Sequence, residues 1–280
     1  MKTRVITSIF IAIPLIAILL LSNTIVYSLA LSVLALIATN EVLKVFGLDK
    51  QYKISVAAYA VALTMPTVSY VMTQVMEKNA TDFIVILALT LFVFMIYSFV
   101  VAVFEKGKLE FASLSAVYVL TMYITACFSA LAVIRYITDA GIFNLGMVFI
   151  GAWISDIFAY FTGRLIGKHK LIPEVSPKKT IEGSIGAIVF TTLIMLLYGF
   201  IVSLATEFTV NYWVLLVSGP ILSIAGQIGD LFASLVKREK GIKDYGTLLP
   251  GHGGIMDRFD SILTVSGATM VIVLLFAPFV

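Results

Sequence analysis

The chain has 280 residues, 60% of them hydrophobic and only 12% charged, with a formal net charge of +3 and a mean hydropathy of +1.06. Soluble domains carry about 45–50% apolar and about 25% charged residues, so a soluble globular domain is excluded and a polytopic membrane protein is expected. The lone Cys127 rules out an intrachain disulfide and reads as a small packed hydrophobe, and the small basic excess gives no reason to expect a nucleic acid partner.

Apolar runs long enough to cross a bilayer, about 20 residues each, predict an all-α polytopic integral membrane protein with about nine transmembrane helices. They lie roughly at 5–22, 25–46, 54–76, 81–104, 109–137, 143–166, 183–206, 211–236 and 260–280. The first run, Val5 to Leu21, lacks a small-residue cleavage site and is followed at once by further spans, so it is read as a retained helix. With the N-terminus cytoplasmic and the C-terminus exterior, every basic residue except Lys78 and Arg135 falls in the cytoplasm. The positive-inside rule favours that orientation. The expected location is the cell membrane (an inner membrane), with the active site facing the cytoplasm.

Residues 1–142, the first five helices, carry little polar chemistry and read as a scaffold. Glu41 and Lys44 lie near a helix end, where long side chains snorkel to the interface. From residue 150 the character changes, and 143–280 read as a catalytic half with cytoplasmic loops at 167–182 and 237–259.

In the sixth helix, Asp156, Tyr160, Gly163, Arg164 and Gly167 fall along one helical stripe. Gly163 and Gly167 form a G-x-x-x-G pair that permits close helix approach. Asp156 either pairs with another helix or faces a polar cavity, the usual setting of an intramembrane carboxylate. The loop after this helix, "SPKKTIEGS", sets Ser176, Lys178, Lys179 and Thr180 ahead of the seventh helix, with Thr180 or Ser184 as its cap. Lysines and helix N-termini both favour phosphate, although two lysines in such a loop also serve simply as a topology signal. In the eighth helix Asp230, Ser234 and Lys237 repeat at i, i+4, i+7, and Gly226 and Gly229 thin the helix beside Asp230. A second acid at comparable depth to Asp156 suits a divalent cation, because Mg²⁺ takes few carboxylates and completes its octahedron with water and phosphate oxygen.

The last polar stretch is "KDYGTLLPGHGGIMDRFDS", Lys243 to Ser261. Gly251, Gly253 and Gly254 around His252 allow the backbone to approach a ligand closely. Asp257, Asp260 and Ser261 follow at i, i+3, i+4 with Arg258 between them. Asp260 has a simple alternative as a helix cap, and His252 suits a phosphate donor, a general base or a structural partner equally. The chain has no Ser-His-Asp signature, no Walker lysine loop and no Cys/His metal spacing. Acids, lysines and a glycine-rich turn on one side fit metal-assisted phosphoryl or nucleotidyl transfer, which needs positioning and charge neutralisation more than a covalent nucleophile.

The segment Ser234 to Asp260 resembles the signature of the CDP-diacylglycerol synthases, or phosphatidate cytidylyltransferases, of bacterial type. The matching positions are Ser234, Val236, Lys237, Arg238, Lys243, Asp244, Gly246, Leu249, Pro250, His252, Gly253, Gly254, Ile255, Asp257, Arg258, Phe259 and Asp260, with no departure. The Asp156 helix and the "SPKKTIEGS" loop are similar to other shared segments of that family, and the first half matches only loosely. The resemblance implies transfer of CMP from CTP to phosphatidic acid, giving CDP-diacylglycerol and pyrophosphate. It implies Asp230 and Asp257 as Mg²⁺ ligands, with Asp156 as a further ligand or field-setting charge. Lys178 and Lys179 would hold triphosphate or lipid phosphate, and Lys237, Arg238 and Arg258 would compensate charge. A second cation and a homodimer through the N-terminal helices stay open. Alternatives are a CTP-dependent polyprenol kinase, an ether-lipid cytidylyltransferase, and, from another class, an ion-coupled transporter. The sharp difference between the two halves argues against the transporter, since such folds are often built from related repeats.

Overall fold

A computed structural model describes residues 16–106, 108–248, 251 and 253–280. Eight helices among the described residues are long and apolar enough to cross a membrane: α1 Ile25–Val45, α2 Tyr52–Val75, α3 Ala80–Phe104, α4 Phe111–Tyr136, α5 Gly141–Ile166, α6 Ile181–Ala205, α7 Tyr212–Glu239 and α8 Met256–Phe276. The chain is therefore a multi-pass helical membrane protein. Of the expected first helix, 5–22, residues 16–20 are helical and most of the rest lies outside the described residues. Two expectations need correction. The last helix starts at Met256, not at 260, so Asp257 sits in its first turn. The stretch before α6, read as a plain loop, contains an antiparallel hairpin, β1 Lys170–Ile172 with β2 Ser176–Thr180, in which Lys170 faces Thr180 and Ile172 faces Ser176.

Helix starts follow local chemistry. The Thr24 hydroxyl accepts from Val26 N–H at 3.3 Å, and the Asp82 carboxylate accepts from Asn79 N–H at 3.3 Å, one arm of a capping box. Thr180 and Asn211 cap α6 and α7 by accepting from Gly183 N–H at 3.1 Å and Val214 N–H at 3.4 Å. Each cap satisfies a donor that the first helical turn leaves unpaired.

The chain forms two compact units, residues 1–137 with 244–257, and residues 138–243 with 258–280. In the first unit α4 is the most deeply covered helix, with Ile124, Phe128 and Ile134 fully buried. Cys127 is buried on the same helix. By contrast α3 keeps Phe92, Val93, Val103 and Phe104 exposed, as expected for a surface that meets lipid rather than water. Glu41 corrects another expectation. It does not snorkel but is only 5% exposed, buried beneath the 244–257 segment.

In the second unit, one π-helical turn, Ile150–Ile154, interrupts α5 immediately before Asp156. Such a turn inserts a residue and so rotates the side chains beyond it. Gly151 within it lies so close to α7 and α8 that a Cβ there would come 2.8 Å from Leu222 and 2.9 Å from Val265. The end of the chain pairs with the segment before α7, where Val280 N–H donates to Thr209 C=O at 3.0 Å and Thr209 N–H donates back at 2.7 Å.

Candidate active site

The second unit gathers polar side chains from α5, β2, α6 and α7 around a cavity of about 340 Å³. Asp156, Lys178, Lys179, Thr180 and Asp230 all line it. The small residues of the sequence explain how these elements come so near. A Cβ on Gly163 would lie 2.8 Å from the Thr180 hydroxyl, and one on Gly167 would lie 2.7 Å from it. A Cβ on Gly183 would meet the Ala159 carbonyl at 2.6 Å. Only glycine at these places lets α5 lie against the start of α6, which carries β2 and its lysines to the cavity. On the other side, a Cβ on Gly229 would reach the Asp260 carbonyl at 2.5 Å, so α7 and α8 touch backbone to backbone beside Asp230.

The central polar contact is an ion pair between Lys179 Nζ and Asp230 Oδ2 at 2.6 Å. Among the described residues the ammonium has no hydrogen-bond partner, so the contact is an ion pair alone. Ser234, one turn further along α7, donates to Asp230 Oδ1 at 3.4 Å. Ser261 of α8 donates to Asp156 Oδ2 at 3.5 Å. Asp156 feels the charges of Asp230 and Lys179, and Asp260 feels those of Asp230, Lys237 and Asp156. Asp260 also accepts from Ser261 N–H at 2.8 Å, but it lies within α8, which starts at Met256, and so is not the helix cap weighed for it. Lys178 is exposed beside the cavity. Arg238 Nε donates to the Val175 carbonyl at 3.4 Å and so holds the hairpin. Ser176 is half-buried in the hairpin, and Lys243 and Arg258 are exposed.

Several contributors carried no sequence signal. Gln227, 6% exposed, bonds Ser184 and donates to Ser223 at 3.2 Å. Ser223 in turn shares a hydrogen bond of 2.9 Å with Ser155, so one polar thread ties α6, α7 and α5 under the cavity. Ser184, considered as a cap, belongs to this thread, and Thr180 is the cap. Glu182 anchors the other end of the hairpin, accepting from His169 Nδ1 at 2.6 Å and from the Lys168 and His169 amides.

Asp244, Gly253, Gly254 and Asp257 belong to the first unit. Asp244 is exposed. Asp257, 7% exposed, has Oδ2 accepting from Tyr245 N–H at 2.7 Å and Gly254 N–H at 3.0 Å. Gly253 has φ +83° and Gly251 φ +77°, both in the left-handed region that favours glycine. His252 lies outside the described residues, as do Leu249 and Pro250. Among the described residues no three His, Cys, Asp or Glu side chains converge as a ready-made metal site. Asp156 and Asp230 offer two carboxylates to one cavity, and that donor set fits Mg²⁺, which is commonly bound through one or two carboxylates plus substrate phosphate.

The model of the cytidylyltransferase family matches residues 2–276. A phosphatidate cytidylyltransferase of Staphylococcus haemolyticus is 35% identical over 268 residues, 95% of this chain and 96% of its own. One of Staphylococcus epidermidis is 34% identical over the same shares. One of Staphylococcus saprophyticus is 44% identical over 125 residues, 45% of this chain and 46% of its own. Near end-to-end matching, with a cavity that offers cations and carboxylates together, leaves one conclusion: the chain belongs to the cytidylyltransferase family.

Proposed function

We propose that this enzyme transfers CMP from CTP to phosphatidic acid, giving CDP-diacylglycerol and pyrophosphate for phospholipid biosynthesis. The relatives named phosphatidate cytidylyltransferase support the choice of substrates. The observation that carries the reading is the cavity where Lys178 and Lys179 stand beside Asp156 and Asp230. Two cations suit a triphosphate or a lipid phosphate, and two carboxylates suit a divalent cation bound with it.

In this reading a phosphatidate oxygen attacks the α-phosphorus of CTP in line. The new P–O bond forms as the bond to the β-phosphate oxygen breaks, and pyrophosphate leaves with that electron pair. Lys178 and Lys179 hold phosphate oxygens in the cavity. Lys237 and Arg258 lower the cost of gathering anions. No general base is needed, since a phosphate monoester with a second pKa of about 6 is already largely ionised at neutral pH. Mg²⁺ held by Asp156 and Asp230 would neutralise phosphate charge as it develops. The Ser155–Ser223–Gln227–Ser184 thread keeps α5, α6 and α7 in register beneath these groups. The site faces the cytoplasm, where CTP is available, an orientation supported by the distribution of basic residues.

The test is turnover by the purified protein in phosphatidate-containing vesicles. Radiolabel from α-labelled CTP should enter lipid with stoichiometric pyrophosphate release and should require Mg²⁺. Incorporation of the γ-phosphate instead would mark a lipid kinase, and solute uptake without any incorporation would mark a transporter.

A further inference from the structure

Arg164 lines the same cavity, and the mechanism above does not use it. It belongs to the last turn of α5, whose span ends at Ile166. At 1.5 Å per residue it lies about 3 Å inside that end, within the polar boundary of a bilayer where lipid phosphates sit. Its neighbours on α5 face lipid: Phe161 is exposed and Leu165 keeps 78% of its surface. The guanidinium is held but not neutralised. Nη1 donates to the Tyr160 hydroxyl at 3.1 Å, one turn earlier on the same face of α5, and Tyr160 lines the cavity too. Among the described residues no carboxylate forms an ion pair with Arg164, whereas Lys179 in the same cavity is paired with Asp230. Lys178 differs in placement, since it stands on β2, outside the apolar helices. The cavity thus takes one unpaired cation from a membrane helix and another from a hairpin beyond the membrane helices.

We propose that Arg164, steadied by Tyr160, binds the phosphate monoester of the lipid substrate and leaves Lys178 and Lys179 to the triphosphate. The inference rests on the cytidylyltransferase reading above. A planar guanidinium presents paired N–H donors that match two oxygens of one phosphate. Tyr160 takes one donor, which fixes the plane and leaves the others for phosphate oxygens. The acyl chains then lie along Phe161 and Leu165, so the lipid presents its phosphate to the cavity without leaving the bilayer. An arginine that only anchors the helix end at the interface would favour any anionic headgroup and would not tell a monoester from a diester.

The experiment compares wild type with Arg164→Gln, Arg164→Lys and Tyr160→Phe. In one arm, soluble dihexanoyl phosphatidate and dihexanoyl phosphatidylglycerol, a monoester and an anionic diester, are titrated separately into the detergent-purified protein without CTP. Wild type should prefer the monoester. Arg164→Gln should bind it about tenfold more weakly, the scale of a lost hydrogen bond to a charged group, with little change for the diester. Arg164→Lys keeps the charge without the fork and should keep part of the preference. Tyr160→Phe should shift the same way by less. In the other arm, steady-state kinetics in mixed micelles, KM for phosphatidate should rise by about tenfold in Arg164→Gln while KM for CTP stays put. Arg164→Lys and Tyr160→Phe carry the test if Arg164→Gln does not insert. Unchanged affinity for phosphatidate, an equal loss for both lipids, or a rise in KM for CTP alone overturns the inference. A wild type that makes no CDP-diacylglycerol overturns the function reading before any substitution is made, and the titrations, which need no turnover, still decide whether Arg164 holds a phosphate monoester.

Discussion

Replacing Lys179 by methionine keeps the length of the side chain and removes its charge. Asp230 is then left near Asp156 and Asp260 without the cation that meets it at 2.6 Å. At that separation the gross attraction is about 1.6 kcal/mol in a water-like dielectric and about 6 kcal/mol at an effective dielectric of 20. The side chains keep 20% and 30% of their surface, so solvent screens the pair, and the net coupling should fall to about 1–2 kcal/mol. A double-mutant cycle reads it directly. Lys179→Met, Asp230→Asn and the double variant are unfolded in mixed micelles, and the double should be less destabilised than the sum of the singles by that amount. Kinetics separate the second role of the lysine. If it also holds phosphate, Lys179→Met raises KM for CTP or lowers kcat, and Asp230→Asn does not restore them. Additivity within about 0.3 kcal/mol, together with wild-type kinetics for Lys179→Met, would refute both the pairing and the phosphate role.

Asp156→Asn and Asp230→Asn should each insert normally, lose on the order of 10²–10³ in turnover and shift the Mg²⁺ titration to higher concentration. Near-normal rates with an unchanged titration would remove the metal from these residues. Gly183→Ala, which drives a methyl toward the Ala159 carbonyl, should cost about 1–3 kcal/mol as α5 and α6 separate, read as a lowered midpoint of unfolding. An unchanged midpoint would show that the helices are free to move apart. Single cysteines at Glu174 and Thr247, both exposed, with Cys127 replaced by serine, should react with impermeant maleimide only from the cytoplasmic side in oriented vesicles. Reaction from outside at either position would overturn the orientation.

Hydropathy alone located eight of the nine expected spans among the described residues. Burying an apolar run in lipid is favourable whatever it packs against, so the free energy is a sum over local residues, and the helices fall within a few residues of the runs. The signature 234–260 was likewise legible, because a fixed linear order of charged and glycine residues survives without knowledge of their neighbours. The β-hairpin was not legible. A three-residue strand, Lys170–Ile172, has too little pattern to betray a period of two, and its pairing is set by the return of the chain at Ser176. The start of α8 was placed four residues late, since the amides of Ile255 and Met256 are capped by a residue 214 or more positions away and not by a local side chain. Glu41 shows the division most plainly. In the sequence it is one acid near the end of an apolar helix, equally suited to lipid headgroups and to the interior. The deciding factor is whether donors wait inside to replace water, because a buried carboxylate is costly until hydrogen bonds satisfy it. The sequence by itself determined that this is a membrane-embedded helical protein carrying a cytidylyltransferase signature. Only the tertiary structure decided which charges meet, Lys179 with Asp230 and Glu41 with the turn before α8, since the energy of a charge depends on the groups that fold around it.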